Sequence, residues 1–426
     1  MHTPFVSVSR FFALLFLVFP AILPAQVLPT STNHPSFNYN RLSRIDSVIN
    51  KYVANEWLGG AVTIIVKDGQ VVQYKGYGYD DIGTKKPLSK DAIFRIASQT
   101  KAIVSVAVMM LYEEGKFLLN DPIENYIPEF KNATVLEKFN EADSSFTTVP
   151  AKRRITIKDL LTHTSGISYA VIGIKEMNAI YAKAGIPSGI GELKADLGDK
   201  MKTLAKLPLA NQPGQKFTYG LSTDVLGYLV EKLSGVTLDE YLRKKIFVPL
   251  GMKDSYFNLP ADKFNRLATL YTEDADHHVI RQLQDRSGIS PDYPKQKTGY
   301  FSGGAGLSST AYDYAIFLQM MLNKGSLNGV HILSPRVVEM MTQNQIGDLM
   351  VGNNKFGLGF EITGEKSAAE SPKNAGSFAW GGYFGTTYWA DPRENLVCLI
   401  MTQQTPNSHG DLSKKFEVLV YQALKK

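Results

Sequence analysis

The stretch Ile96-Ala97-Ser98-Gln99-Thr100-Lys101 runs directly into Ala102–Leu111, which is almost wholly apolar. Ile103, Val104, Val106, Ala107, Val108, Met109 and Met110 leave no polar face. A helix apolar all round is a buried helix, so the rest of the chain must pack around it. Ser98 and Lys101 stand three residues apart, which places them on one face about a turn apart. The pair sits where the N-terminal N–H groups of the helix point toward negative charge.

A serine hydroxyl is a weak nucleophile until a base takes its proton. A lysine amine can do that only when neutral, and burial favours the neutral form. Ser-x-x-Lys is a short motif, and its context has to decide its meaning.

The composition of the 426 residues, 44% hydrophobic and 20% charged, is that of a globular protein. The formal charge of +6 is spread along the chain, and the densest runs, Lys152-Arg153-Arg154 and Arg243-Lys244-Lys245, read as solvated faces. No nucleic-acid partner is expected. Arg10 followed by the apolar stretch Phe11–Leu23, too short to span a bilayer, reads as a secretory signal ending at Leu23-Pro24-Ala25. The expectation is a signal peptide over 1–25, a mature chain from about Gln26, periplasmic export and no membrane span in the mature chain. An uncleaved anchor is the alternative. The single Cys398 has no disulfide partner and sits in an apolar run, as a small core residue would.

Leu42, Ile45, Val48, Ile49, Tyr52 and Val53 recur at helical spacing, predicting a first helix near 40–55. Two β-rich runs, Ala61–Val66 and Val71–Tyr74, flank Asp68-Gly69 and predict a hairpin. From 96 to about 299 the pattern is mainly helical with long loops, and 168–210, with few anchors, is placed over a cleft. Tyr312–Leu322 predicts a helix capped by Ser308-Ser309-Thr310. Strands are expected at Gly357–Thr363, Ser377–Trp380, Thr386–Ala390 and Leu396–Thr402, then a last helix over Leu412–Leu424. Strands at both ends imply one antiparallel sheet built from both termini and flanked by helices, an α/β chain of the α+β type. Its sheet part covers about 40–95 and 300–426, its inserted helical part about 96–299, in one domain over 26–426. Ser98 then lies at the seam, a common place for a ligand cleft.

Four stretches carry a resemblance. They are Phe94–Lys101, Leu160-Leu161-Thr162-His163-Thr164-Ser165-Gly166, Pro213-Gly214 through Tyr219, and Trp380-Gly381-Gly382. In that order and spacing, the chain resembles the penicillin-recognising serine hydrolases: class C β-lactamases, D-Ala-D-Ala peptidases and family VIII carboxylesterases. The resemblance implies a β-lactamase/transpeptidase-like fold with Ser98 as nucleophile, Lys101 as its base and Tyr219 as proton shuttle. It implies an oxyanion hole from the N–H groups of Ser98 and Tyr383, and substrate contacts from Leu221, Trp380, Gly381 and Gly382. It implies no cofactor or metal. From the residues alone, Tyr219 is also a candidate base, since a neighbouring ammonium favours an ionised phenol.

Two positions depart from the β-lactam-recognising pattern. Leu221 stands where that branch has an amide-binding Asn, and Trp380 begins the stretch where it has Lys-Thr-Gly. Trp there resembles the esterase and acyltransferase members. A literal Lys297-Thr298-Gly299 occurs too early, before the chain re-enters the sheet. His163 is taken as a structural hydrogen-bonder, and Asp274, Asp276, His277 and His278 as a polar turn rather than a metal site.

These features lead to an exported serine hydrolase acting through an acyl-enzyme on Ser98, with a small ester, acyl or peptide substrate. A β-lactamase or D-Ala-D-Ala peptidase is the first alternative. A non-catalytic peptidoglycan-binding homologue is the second.

Overall fold

The computed structural model describes residues 28–284 and 290–425, and the expected signal segment lies outside them. Eight strands form one antiparallel sheet: β1 (Gly60–Lys67), β2 (Gln70–Asp81), β3 (Lys86–Pro87), β4 (Lys355–Phe356), β5 (Glu361–Ile362), β6 (Phe378–Gly381), β7 (Thr387–Asp391) and β8 (Leu396–Met401). Across the sheet the order is β4-β5-β6-β7-β8-β1-β2-β3, so β8 from the chain's end pairs with β1 from its beginning. The β1–β2 turn carries Asp68 and Gly69, both at positive φ (51° and 76°), the backbone that a two-residue hairpin loop needs.

Alternation along the strands divides the core in two. Val62, Ile64 and Val66 of β1 face the larger core, with α2 (Thr100–Glu113), α3 (Ser222–Ser234) and α4 (Ala311–Leu322). Ala61 and Ile65 face the other side, against α1 (Arg44–Ala54) and α5 (Leu412–Tyr421), through Ile45, Ile49, Phe416 and Val420. Both faces are covered, which is why β1 and β8 read as unbroken apolar runs. Cys398 is buried in the second core as a free thiol. Thr310 caps α4 by accepting from the Asp313 N–H.

The structure differs from the sequence expectation in three places. It holds a hairpin, Thr134–Phe139 paired with Phe146–Pro150, whose alternation is broken by a register shift and polar residues. The 168–210 segment is better anchored than its composition suggests. It forms helices at Lys175–Lys183 and Leu197–Leu204, with Met177, Ile180, Tyr181, Leu197, Met201 and Leu204 buried at helical spacing. Of the expected strand at Gly357–Thr363 only β5 is strand, and 357–360 form a turn between β4 and β5, closed by the Gly357 N–H on the Phe360 carbonyl.

Candidate active site

Ser98 sits in a tight 3₁₀ turn, Ala97–Gln99, that leads into α2. Ala97 just before it is held at φ 41°, a left-handed conformation that a non-glycine residue adopts only when its surroundings impose it. The end of β6 imposes part of it. Gly382 lies so close to the Ile96 carbonyl that any Cβ there would collide with it. The contact sets Tyr383 beside the serine turn. The Gly382 N–H bonds the Thr386 carbonyl and the Gly385 N–H the Gly382 carbonyl, while the Tyr383 N–H between them has no protein acceptor among the described residues. Ser98 opens a helix, where N–H groups lack intrahelical partners.

The Tyr219 hydroxyl meets Ser98 Oγ at 2.6 Å, and Lys101 Nζ meets the same oxygen at 3.2 Å. Lys101 Nζ also donates to the Gly304 carbonyl at 2.7 Å and to the Tyr169 hydroxyl at 2.9 Å. Three acceptors around one buried nitrogen match the three protons of an ammonium group. The same nitrogen lies 4.6 Å from the centre of the Tyr219 ring. Trp380 and Tyr169 pack on that ring, each with centroids 5.5 Å away.

Burial alone pushes the Tyr219 phenol up. The Lys101 charge beside it, with the Ser98 hydrogen bond, outweighs burial and holds it below the usual phenol range. Tyr169 goes the other way: burial, then the neighbouring Tyr219 and Asp224, raise it well above that range. So of the two tyrosines touching Lys101, Tyr219 is the one poised to lose a proton. His163 packs tilted against Tyr219, ring centres 5.1 Å apart, and burial followed by the Lys101 charge pushes its imidazole down to about 3. It is a neutral packing ring at neutral pH. Its Nδ1 lacks a partner, and its carbonyl accepts the Thr218 N–H at 2.7 Å.

A cleft of about 570 Å³ opens over Ser98. Tyr169, Val171, Ile172, Ile190, Trp380 and Phe384 supply most of its apolar wall, Ser188 and Glu361 its polar part, and among the described residues no Lys or Arg lines it. Gly381 and Tyr383 sit on its rim, the Tyr383 side chain 60% exposed. The 168–190 segment does cover the cleft, through Tyr169–Ile172 and Ser188–Ile190.

One expected contact is corrected. Leu221 is fully buried in the core beneath the cleft, because it is the residue that caps α3 and turns its side chain inward. It is not among the residues that line the cleft. Lys297 is exposed on a loop away from the cleft, where Thr298 Oγ1 bonds the Glu192 carbonyl. Asp274, Asp276, His277 and His278 form the turn between short strands Tyr271–Glu273 and Val279–Arg281. No cluster of three or more metal-binding side chains occurs among the described residues.

Sequence reasoning missed Tyr169 and the Gly304 carbonyl, the partners of Lys101. Tyr169 follows Gly166 by three residues, and Gly303-Gly304 is a glycine pair where the chain returns to the sheet. Their closeness to Ser98 in sequence was not available as a signal, since both arrive by long-range packing.

Known proteins are similar to this chain over most of its length. Esterase EstB of Burkholderia gladioli is 30% identical over 381 residues, covering 84% of this chain and 90% of that one. Monacolin J acid methylbutanoyltransferase of Aspergillus terreus is 27% identical over 413 residues, 88% and 95% of the two chains. The solved structure of EstCE1, a hydrolase with promiscuous acyltransferase activity, superposes with a TM-score of 0.76 at 25% identity, covering 90% of this chain and 99% of that one. The Beta-lactamase family model matches residues 45–422, and this chain belongs to that family.

Proposed function

We propose that the protein is an exported serine hydrolase that cleaves carboxylic esters with apolar acyl groups through an acyl-enzyme on Ser98. The observation that carries this is the Ser98 hydroxyl held at 2.6 Å by a tyrosine whose phenol is kept low beside Lys101. The resemblance gives the base's role to Lys101. The three acceptors around its nitrogen, and the direction of the Tyr219 shift, favour Tyr219 instead.

On this reading Ser98 Oγ attacks the ester carbonyl while its proton passes to the Tyr219 phenolate. The carbonyl oxygen becomes an oxyanion facing the Ser98 and Tyr383 N–H groups. Tyr219 returns the proton to the departing alkoxide, releasing an alcohol and leaving the acyl group on Ser98. Water then attacks the acyl carbon, gives its proton to Tyr219, and Ser98 recovers that proton as the acid leaves. Lys101 stays an ammonium throughout and stabilises the phenolate. EstB and EstCE1 are an esterase and a hydrolase, which supports this class over a non-catalytic role.

A fluorophosphonate probe should label the protein once, on Ser98, and Ser98→Ala should abolish labelling. kcat/KM for short-chain p-nitrophenyl esters should exceed that for nitrocefin by at least about tenfold, or roughly 1.4 kcal/mol of transition-state preference. A better rate on nitrocefin would replace the esterase reading with the β-lactamase one.

A further inference from the structure

Behind Lys101 lies a carboxyl group that the reaction scheme leaves unused. Asp224 is the third residue of α3 and 0% exposed. Its Oδ1 accepts from Ser302 Oγ at 2.7 Å and from the Tyr300 hydroxyl at 3.3 Å, while Oδ2 has no hydrogen-bond partner. It forms no ion pair among the described residues, and burial pushes its carboxyl up, opposed by Ser302 and by the charge of Lys101. A buried carboxylate without compensation would be costly. The first turn of a helix, where the dipole favours negative charge, and two hydroxyl donors offset part of that cost.

The geometry joins Asp224 to Lys101 through one turn of chain. Gly304 lies flush against Asp224 Oδ2, and Gly303 against the Thr223 carbonyl; a Cβ on either would collide. The turn is tied by the Ala305 N–H on Ser302 Oγ at 3.0 Å. Its Gly304 carbonyl is the acceptor of Lys101 at 2.7 Å. The groups facing Asp224 are Tyr300 and Ser302 from this loop, Tyr169 from the cleft segment and Lys101 from α2. Those facing Lys101 from the other side are Ser98, Tyr219 and the neutral His163.

We propose that Asp224 is a positioning residue for Ser98 chemistry: its carboxylate braces the Gly303–Gly304 turn that holds Lys101, and supplies the buried negative charge that balances the Lys101 ammonium. The attraction is mutual, so the Asp224 charge favours the ammonium form of Lys101. Without it, the Tyr219 phenolate is the one charged partner that the proposed chemistry leaves to Lys101. The inference rests on Ser98 being the nucleophile, as proposed above.

The test follows the rate of Ser98 phosphonylation by a fluorophosphonate probe against pH, in wild type and Asp224→Asn. The Asn is isosteric and lacks the charge. The alkaline limb of the rate profile should move toward lower pH, because the buried cluster around Ser98 has lost a negative charge. A merely structural role would lower the rate at every pH and leave the limb in place, and that result would overturn the inference. Wild type that does not label at Ser98 would instead overturn the Ser98 assignment itself. Where circular dichroism shows Asp224→Asn unfolded, Gly304→Ala serves. It keeps the charge but forces the Gly304 peptide off Asp224, and should slow labelling at least about tenfold, the lower part of the range for misplaced acid–base groups. Wild-type labelling in Gly304→Ala would sink the bracing role.

Discussion

His163 should make the protein acid-labile by an amount that can be worked out from its surroundings. The imidazole is buried among Phe217, Tyr219 and Phe356, and its ordinary value of 6.5 is pushed down to about 3. In the unfolded chain it binds a proton below about 6.5; in the folded chain it does not until about 3. Stability from this group is therefore complete above pH 6.5 and is lost as pH falls toward 3. The loss is about 2 kcal/mol at pH 5 and about 3 kcal/mol at pH 4, at roughly 1.4 kcal/mol per pH unit for one proton. Replacing it by Phe removes the titration while keeping a ring against Tyr219. Some overpacking cost, about 1–3 kcal/mol, is expected at all pH values and cancels in the comparison. The assay is urea unfolding of wild type and His163→Phe at pH 7, 5 and 4. The stability difference between them should shrink or reverse as pH falls, by about 3 kcal/mol between pH 7 and 4. Two parallel pH dependences would refute the argument, and with it the placement of a neutral imidazole beside Tyr219.

The remaining expectations concern the proton path and the chain's destination. Tyr219→Phe and Lys101→Ala should each slow ester hydrolysis by on the order of 10²–10⁴, and near-normal turnover in either removes that residue from the mechanism. Expressed with its own N-terminus in a Gram-negative host, the protein should be recovered from the periplasm beginning near Gln26. N-terminal sequencing decides this, and an intact Met1 in a soluble cytoplasmic pool would count against export.

Local signals read well because local physics decides them. Asp68-Gly69 names its own turn, Thr310 caps α4, and the apolar run after Lys101 can only be interior. The joining of β8 to β1 followed from strands at both ends of the chain. Resemblance singled out Ser98, Lys101 and Tyr219 through the order of the motifs, and the structure brings the three within hydrogen-bond reach. Leu221 was misplaced for a plain reason. A motif position gives proximity in sequence, but the start of α3 turns that side chain into the core. Tyr169, Asp224 and Gly304 were invisible as a group, because three separate segments meet only once the helical part has packed against the sheet.

The nucleophilic centre and the cleft wall answer different questions. On the proposed chemistry, ester, amide and β-lactam carbonyls present the same electrophilic carbon to Ser98, so the Ser98–Tyr219–Lys101 geometry does not choose among them. The wall does. A penicillin or a D-Ala terminus brings a carboxylate that must be paired as it leaves water, and an unpaired one in a partly buried site costs several kcal/mol. Trp380 occupies the start of the stretch where a cation would pair it, no Lys or Arg among the described residues lines the cleft, and Glu361 adds an acid there. Val171, Ile172, Ile190 and Phe384 face the same space and return about 25 cal/mol for each Å² of apolar surface they cover. A neutral ester with an apolar acyl group gains on both counts. A change of specificity is therefore located at Trp380: a basic residue there would reverse the first term, and because Trp380 packs on the Tyr219 ring the added charge would also favour the phenolate.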